Sequence, residues 1–191
     1  MTAIITIKNG KKVVSNGMHE EKILLEDINL TINEGDFITV LGGNGAGKST
    51  LFNTIAGTLE LSQGTISFKD QLITKYPEEK RAAFLSRVFQ DPKMGTAPRM
   101  TVAENLLLAQ NRGKKRKFRL RNLKNQKEQF FKLCQEVGNG LEQHLDTPAG
   151  ELSGGQRQAL SLLMATIEAP ELLLLDEHTA ALDPKTCLLY T

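Results

Sequence analysis

Two cysteines in 191 residues, Cys134 and Cys187, form no metal-binding or redox spacing. So sparse a usage fits a reducing compartment and excludes a disulfide-stapled scaffold, with Cys134 expected as a core thiol. Long apolar runs are missing too: the longest fall far short of the roughly 20 residues that a spanning helix needs, so any membrane pore is expected in another chain. Met1 to Lys12 contain only the brief pair Ile4-Ile5, with no signal-peptide core or cleavage site, and cytosolic residence is the expectation. Aromatic residues make up 5% of the chain, and none precedes Phe37. No internal repeat or low-complexity linker divides it, so residues 1–191 are expected to form one domain.

What is present begins with glycine. Gly42-Gly43-Asn44-Gly45-Ala46-Gly47-Lys48-Ser49-Thr50 contains the spacing G-x-x-x-x-G-K-[ST]. The apolar run Phe37 to Leu41 precedes it as an expected strand, and Thr50 to Ala56 follow with helical character. Glycines allow backbone conformations closed to residues with a Cβ, so successive N–H groups can turn around a polyphosphate at a helix start. Lys48 would reach the β- and γ-phosphates of ATP, the Ser49 hydroxyl would ligate Mg²⁺, and Thr50 offers a second hydroxyl.

A second element is Leu172 to Leu175, a four-leucine run between Pro170 and Asp176-Glu177. It reads as a central parallel strand buried on both faces and ending in carboxylates. Ligands of open α/β sheets gather at the carboxyl ends of strands, which would bring both acids to the phosphates. Asp176 is then placed to hold Mg²⁺ through water, and Glu177 to orient and deprotonate the attacking water. A third element is Ser153-Gly154-Gly155-Gln156, which opens a helix expected to run to Ala169. The Ser153 hydroxyl and the following N–H groups make a second anion-binding helix start.

Together these segments resemble the nucleotide-binding subunit of an ATP-binding cassette (ABC) transporter. Four motifs occur in that family's order: GGNGAGKST, the glutamine segment Val88-Phe89-Gln90-Asp91-Pro92, LSGGQRQ at 152–158, and LLLLDE with Thr179 to Pro184 after it. The resemblance covers about residues 3–186. It implies an α/β P-loop NTPase core with a mainly parallel sheet, an N-terminal antiparallel β-subdomain and a helical subdomain inserted at about 91–155. It also implies that Gln90 touches Mg²⁺ or the attacking water. Two copies would close head to tail, Ser153 to Gln156 of each on the γ-phosphate held by the other's Lys48. Permease subunits would form the pore, with a solute-binding protein as a further partner and the cytoplasmic face of the inner or plasma membrane as the location. Details of Asp176 to Lys185 resemble an importer-associated bacterial subgroup, whose cargo would be a small organic solute such as an amino acid.

The chain departs from the family's pattern in three places. Family members stack an aromatic on adenine, whereas Val14 stands at the expected place here. His178 occupies a position where many relatives have Pro or Ser. Cys187-Leu188-Leu189-Tyr190-Thr191 resemble a translated sequencing adapter, which raises the expectation of an incomplete reading frame that stops before the family's switch histidine and further strands, folds poorly and turns over slowly.

Charge is segregated. Arg112, Lys114, Lys115, Arg116, Lys117, Arg119, Arg121, Lys124 and Lys127 are nine bases with no acid between Glu104 and Glu128; the remaining 15 bases face 22 acids. Such a run is either a solvated helical face or a contact for anionic lipid or nucleic acid. Its one aromatic, Phe118, gives little support for base stacking. A soluble ABC ATPase acting on ribosomes or nucleic acid is therefore the alternative to transport, and a cassette that binds nucleotide without turnover is a third. Strands are expected at Ala3 to Lys8, Lys22 to Ile32, Gly64 to Phe68 and Leu85 to Phe89, with Asn16-Gly17 as a turn. Helices are expected at Thr101 to Ala109, capped by Thr101 with Glu104, and at Gln126 to Val137. Met94 and Met100 are either an adaptable docking surface or core.

Overall fold

The computed structural model of the chain describes residues 2–15, 21–114 and 123–176. Outside them lie the Asn16-Gly17 turn, Lys115 to Arg121 with Phe118, and Glu177, His178 and everything up to Thr191. The chain divides into two compact units, Met1–Ala82 and Ala83–Thr191.

In the first unit, β1 (Ala3–Ser15) lies between β2 (Glu21–Asn33) and β3 (Gln63–Phe68), with the short β4 (Gln71–Leu72) outside β3, all antiparallel. Ile5, Ile7, Leu25, Ile32 and Ile66 are buried, the apolar half of a period-2 pattern. The first two strands run longer than expected because a bulge carries β1 past Asn9-Gly10. The register shifts there, Asn9 adopts φ 51°, and its N–H donates to Asn29 Oδ1 at 2.9 Å. Lys69 and Asp70, both at positive φ, make the two-residue turn between β3 and β4.

Helix α1 (Lys48–Ala56) buries Thr54, Ile55 and Ala56, and the one-turn α2 (Glu78–Arg81) ends in a fully buried arginine. The Arg81 guanidinium donates to five carbonyls: Thr54 and Ile55 at the end of α1, and Ile73, Thr74 and Tyr76 after β4, at 2.8–3.1 Å. Burial lowers its pKa from the ordinary value.

Phe37 to Leu41 are not a strand. Residues 36–43 carry no regular structure, and Phe37 and Leu41 are 84% and 87% exposed. A strand persists through its hydrogen-bond ladder, and no described residue pairs with this stretch.

The second unit joins β5 (Leu85–Val88) and β6 (Leu172–Leu175) in a two-stranded parallel sheet, Leu85 opposite Leu172 and Val88 opposite Leu175. Its helices are α3 (Val102–Gln110), α4 (Leu123–Val137) and α5 (Gly154–Thr166). They share one core around Val102, Leu106, Phe130, Cys134, Leu141 and Leu160. Thr101 caps α3 in a reciprocal box with Glu104, as the sequence predicts. Fully buried Asn105 pins the loop before α3, accepting from Ala97 N–H and donating to the Ala97, Met100 and Thr101 carbonyls. Burial, reinforced by Glu142, pushes the Cys134 thiol up to about 12, so it stays neutral and serves packing.

The leucine run is a correction as well. Of its four residues only Leu174 is buried, and Leu175 is 41% exposed. Among the described residues β6 has a ladder partner on one side only, so its apolar pattern exceeds the cover it receives.

Candidate functional site

The glycine loop lies in the first unit, where Gly47 caps α1 in the left-handed conformation at φ 87°. A Cβ there would approach Leu24 O to 2.8 Å and Leu25 Cδ2 to 3.1 Å, so conformation and the nearness of β2 both require glycine. No side chain caps α1, and its first turn holds no acid. The N–H groups of that turn and the positive end of the helix dipole are thus left for an anion. Lys48 Nζ donates to the carbonyls of Gly42 at 2.6 Å and Gly43 at 3.1 Å, which folds the ammonium over its own loop. Ser49, next along α1, is exposed, as are Gly42 to Ala46. Val14 lies half-buried near the end of β1, paired with Lys22, two residues before Leu24.

In the second unit the parallel pairing of β5 and β6 brings two predicted residues to one sheet end. Gln90 follows β5 by two residues and Asp176 follows β6 directly, its N–H donating to Val88 O at 3.1 Å. The Asp176 carboxylate is held by Arg87: Nη2 to Oδ2 is 2.7 Å, with the side chains 8% and 14% exposed. Arg87 also lies over the Phe89 ring, 4.7 Å from its centroid. Glu177, the residue after Asp176, is outside the described residues.

Ser153 caps α5 in a second reciprocal box: its Oγ accepts from Gln156 N–H, and Gln156 Oε1 accepts from Ser153 N–H. Behind this start, Arg157 donates to the carbonyls of Ala149, Gly150 and Leu152, fixing the approach to Ser153. Ser153, Gly154 and Gly155 are exposed, and a Cβ built on either glycine meets nothing within 4 Å. The fold of the described chain therefore makes no steric demand for glycine at these two positions.

Gln90, Asp176 and Ser153 to Gln156 thus share the second unit, whereas Lys48 and Ser49 belong to the first. Arg81, Arg87 and Arg157 escaped the sequence reading because a lone arginine gives no periodic or spacing signal. Three members of the basic run are engaged within their own unit. Arg112 donates to the Met164, Ala165 and Glu168 carbonyls around the end of α5, Lys114 pairs with Glu168 at 2.9 Å, and Lys127 with Asp146 at 2.6 Å. Met94 is 70% exposed, whereas Met100 is half-buried. No cluster of three or more His, Cys, Asp or Glu side chains among the described residues could hold a metal, and no described helix is long and apolar enough to cross a membrane.

Comparison with known proteins completes the picture. The ABC transporter family profile matches residues 25–180. The chain is 44% identical over 183 residues to the tyrosine transport ATP-binding protein of Clostridioides difficile, covering 96% of this chain and 72% of that protein. It is 36% identical over 167 residues to the spermidine/putrescine import ATP-binding protein PotA of Haemophilus ducreyi, covering 86% of this chain but 41% of that protein. Among solved structures it resembles the dimeric bacterial ABC transporter cassette MJ0796 at a TM-score of 0.79 and 26% identity, over 97% of this chain and 78% of that one. The same cassette in a dimeric post-hydrolysis state bound to ADP and Pi gives 0.78 and 26%, over 96% and 78%.

Proposed function

The chain belongs to the ABC transporter family as an ATP-binding, ATP-hydrolysing cassette that powers solute transport with separate permease subunits, and from that premise we propose how its residues divide the work. Gly42 to Thr50 cradle the triphosphate, with Lys48 on the β- and γ-phosphates. Ser153 to Gln156 close on the γ-phosphate held by a second copy. The observation that carries this reading is the capped, exposed start of α5, whose glycines are uncrowded within the chain. Glycine there suits the close approach of something outside the chain, and N–H groups at a helix start suit phosphate.

Mg²⁺ fits the donors offered by Ser49, Gln90 and Asp176: a hydroxyl, an amide oxygen and a carboxylate, all hard oxygen ligands. With phosphate oxygens and water they need no carboxylate cluster. When bound, the ion would supply positive charge that offsets the charge of the reacting phosphates. Glu177 orients a water in line with the γ-phosphorus and takes its proton, giving ADP and phosphate from ATP and water. Residues 91–155 form the helical subdomain, and exposed Met94, in the loop after Gln90, is a contact for the permease. A solute-binding protein and a site on the cytoplasmic membrane face complete the assembly. The tyrosine-transport relative supports an amino acid as cargo. The internal pairing of Arg112, Lys114 and Lys127 supports transport over a nucleic-acid role.

Sedimentation tests the central claim. With Mg²⁺ and a non-hydrolysable ATP analogue the protein is expected to form a dimer holding two nucleotides. Gly155→Asp should remain monomeric while its folding stability changes by no more than about 0.5 kcal/mol. A wild-type protein that binds the magnesium nucleotide yet stays monomeric overturns the reading.

Val14 yields a second expectation. An aliphatic side chain near the glycine loop packs against adenine without the added stabilisation of ring stacking, about 0.5–1.5 kcal/mol. Val14→Tyr should therefore tighten ATP binding roughly 2- to 10-fold and leave a base-free triphosphate unaffected. Equal titration curves for the wild type and Val14→Tyr would exclude Val14 from the base platform.

A further inference from the structure

Nothing in the chemistry assigned above employs Arg87, yet it is bound to the carboxylate on which that chemistry relies. Arg87 projects from β5 and meets Asp176 at the end of β6, Nη2 to Oδ2 at 2.7 Å, with both side chains largely shielded from water. Screening by salt is weak for such a pair. The same guanidinium lies over Phe89, the residue before Gln90, so Arg87 touches the carboxylate assigned to the cation and the segment leading to the amide assigned to it.

We propose that Arg87 is a positioning residue that sets how tightly this cassette holds its divalent cation, the guanidinium and the cation competing for Asp176. The proposal rests on the assignment of Asp176 to the metal. Two effects of Arg87 oppose each other. Its hydrogen bond orients the carboxylate, which favours a metal; its positive charge occupies one carboxylate oxygen and repels a dication. Orientation is worth no more than the ordering of one short side chain. A full like charge beside a divalent ion outweighs that even with mostly aqueous screening. The net effect of Arg87 is a weaker, more readily exchanged cation.

The test uses Mn²⁺ as probe, titrated into protein saturated with a non-hydrolysable ATP analogue and followed by the electron paramagnetic resonance line shape of protein-bound ion. Arg87→Met should bind Mn²⁺ roughly tenfold tighter than the wild type, and Arg87→Lys, which keeps the charge, should stay within about twofold of it. Arg87→Gln, neutral but still a hydrogen-bond donor, should tighten binding like Arg87→Met and serves where the apolar variant folds poorly. Asp176→Asn should weaken Mn²⁺ binding about tenfold or more, and adding Arg87→Met to it should restore less than half of the gain seen in the wild-type background. If Asp176→Asn loses affinity but neither neutral Arg87 variant gains any, the proposal falls and the metal assignment stands. If Asp176→Asn binds Mn²⁺ like the wild type, the assignment itself fails and takes the proposal with it.

Discussion

Lys48→Ala should raise the Kd for magnesium ATP about 10²-fold and remove ATP-dependent dimerisation, whereas Glu177→Gln should keep both and lose about 10²–10⁴ in turnover. The lysine term follows from charge. Its ammonium sits over the glycine loop on the Gly42 and Gly43 carbonyls, and charge-assisted hydrogen bonds to phosphate contribute about 1.5–3 kcal/mol each. Alanine deletes the cation but keeps α1, since alanine is the best helix former. The glutamate term is of another kind. Gln is nearly isosteric but cannot accept the water's proton, so only the hydrolytic step loses its base. Both effects are read on the same samples, by nucleotide titration, sedimentation and phosphate release. Wild-type turnover in Glu177→Gln would remove that residue from its role, and unchanged ATP affinity in Lys48→Ala would remove the loop from its own.

Arg81→Met should cost about 3–5 kcal/mol of folding stability. Five carbonyls lose the guanidinium at once; Ile73 O keeps the Tyr76 N–H, and each of the other acceptors left buried and unsatisfied costs about 1–3 kcal/mol before relaxation. Relief from burying the guanidinium offsets part of that sum, and solvent reaching the loop carbonyls offsets more. Against a total stability of about 5–15 kcal/mol the remainder is large. Lysine has three donors on one nitrogen and cannot reach carbonyls spread around a planar fork, so Arg81→Lys should recover less than half of the loss. Urea denaturation measures both variants, with a lower midpoint at unchanged slope as the signature of lost stability. A loss below about 1 kcal/mol for Arg81→Met would mean that the carbonyls find other donors.

Glycine spacing, capping boxes and alternating apolar residues are local signals, and they were legible. The loop at 42–50, the caps at Thr101 and Ser153 and the antiparallel strands all follow from neighbours within a few residues. Extended apolar segments were less legible, because a strand depends on a partner that its own residues do not name. Phe37 to Leu41 and Leu172 to Leu175 have similar apolar character, yet the second pairs with β5 and the first stays exposed and irregular.

The amino-acid sequence by itself determined the family, the ATP chemistry and the residue types able to perform it, since phosphate binding needs particular backbone freedom and charge at fixed short spacings. Tertiary structure alone decided the work of the three arginines. Arg81 gathers carbonyls from two segments, Arg157 ties down the approach to Ser153, and Arg87 meets an acid 89 positions away. A guanidinium acquires its role from the acceptors that folding brings within reach, and those acceptors are backbone atoms or distant side chains that leave no mark beside it in the chain.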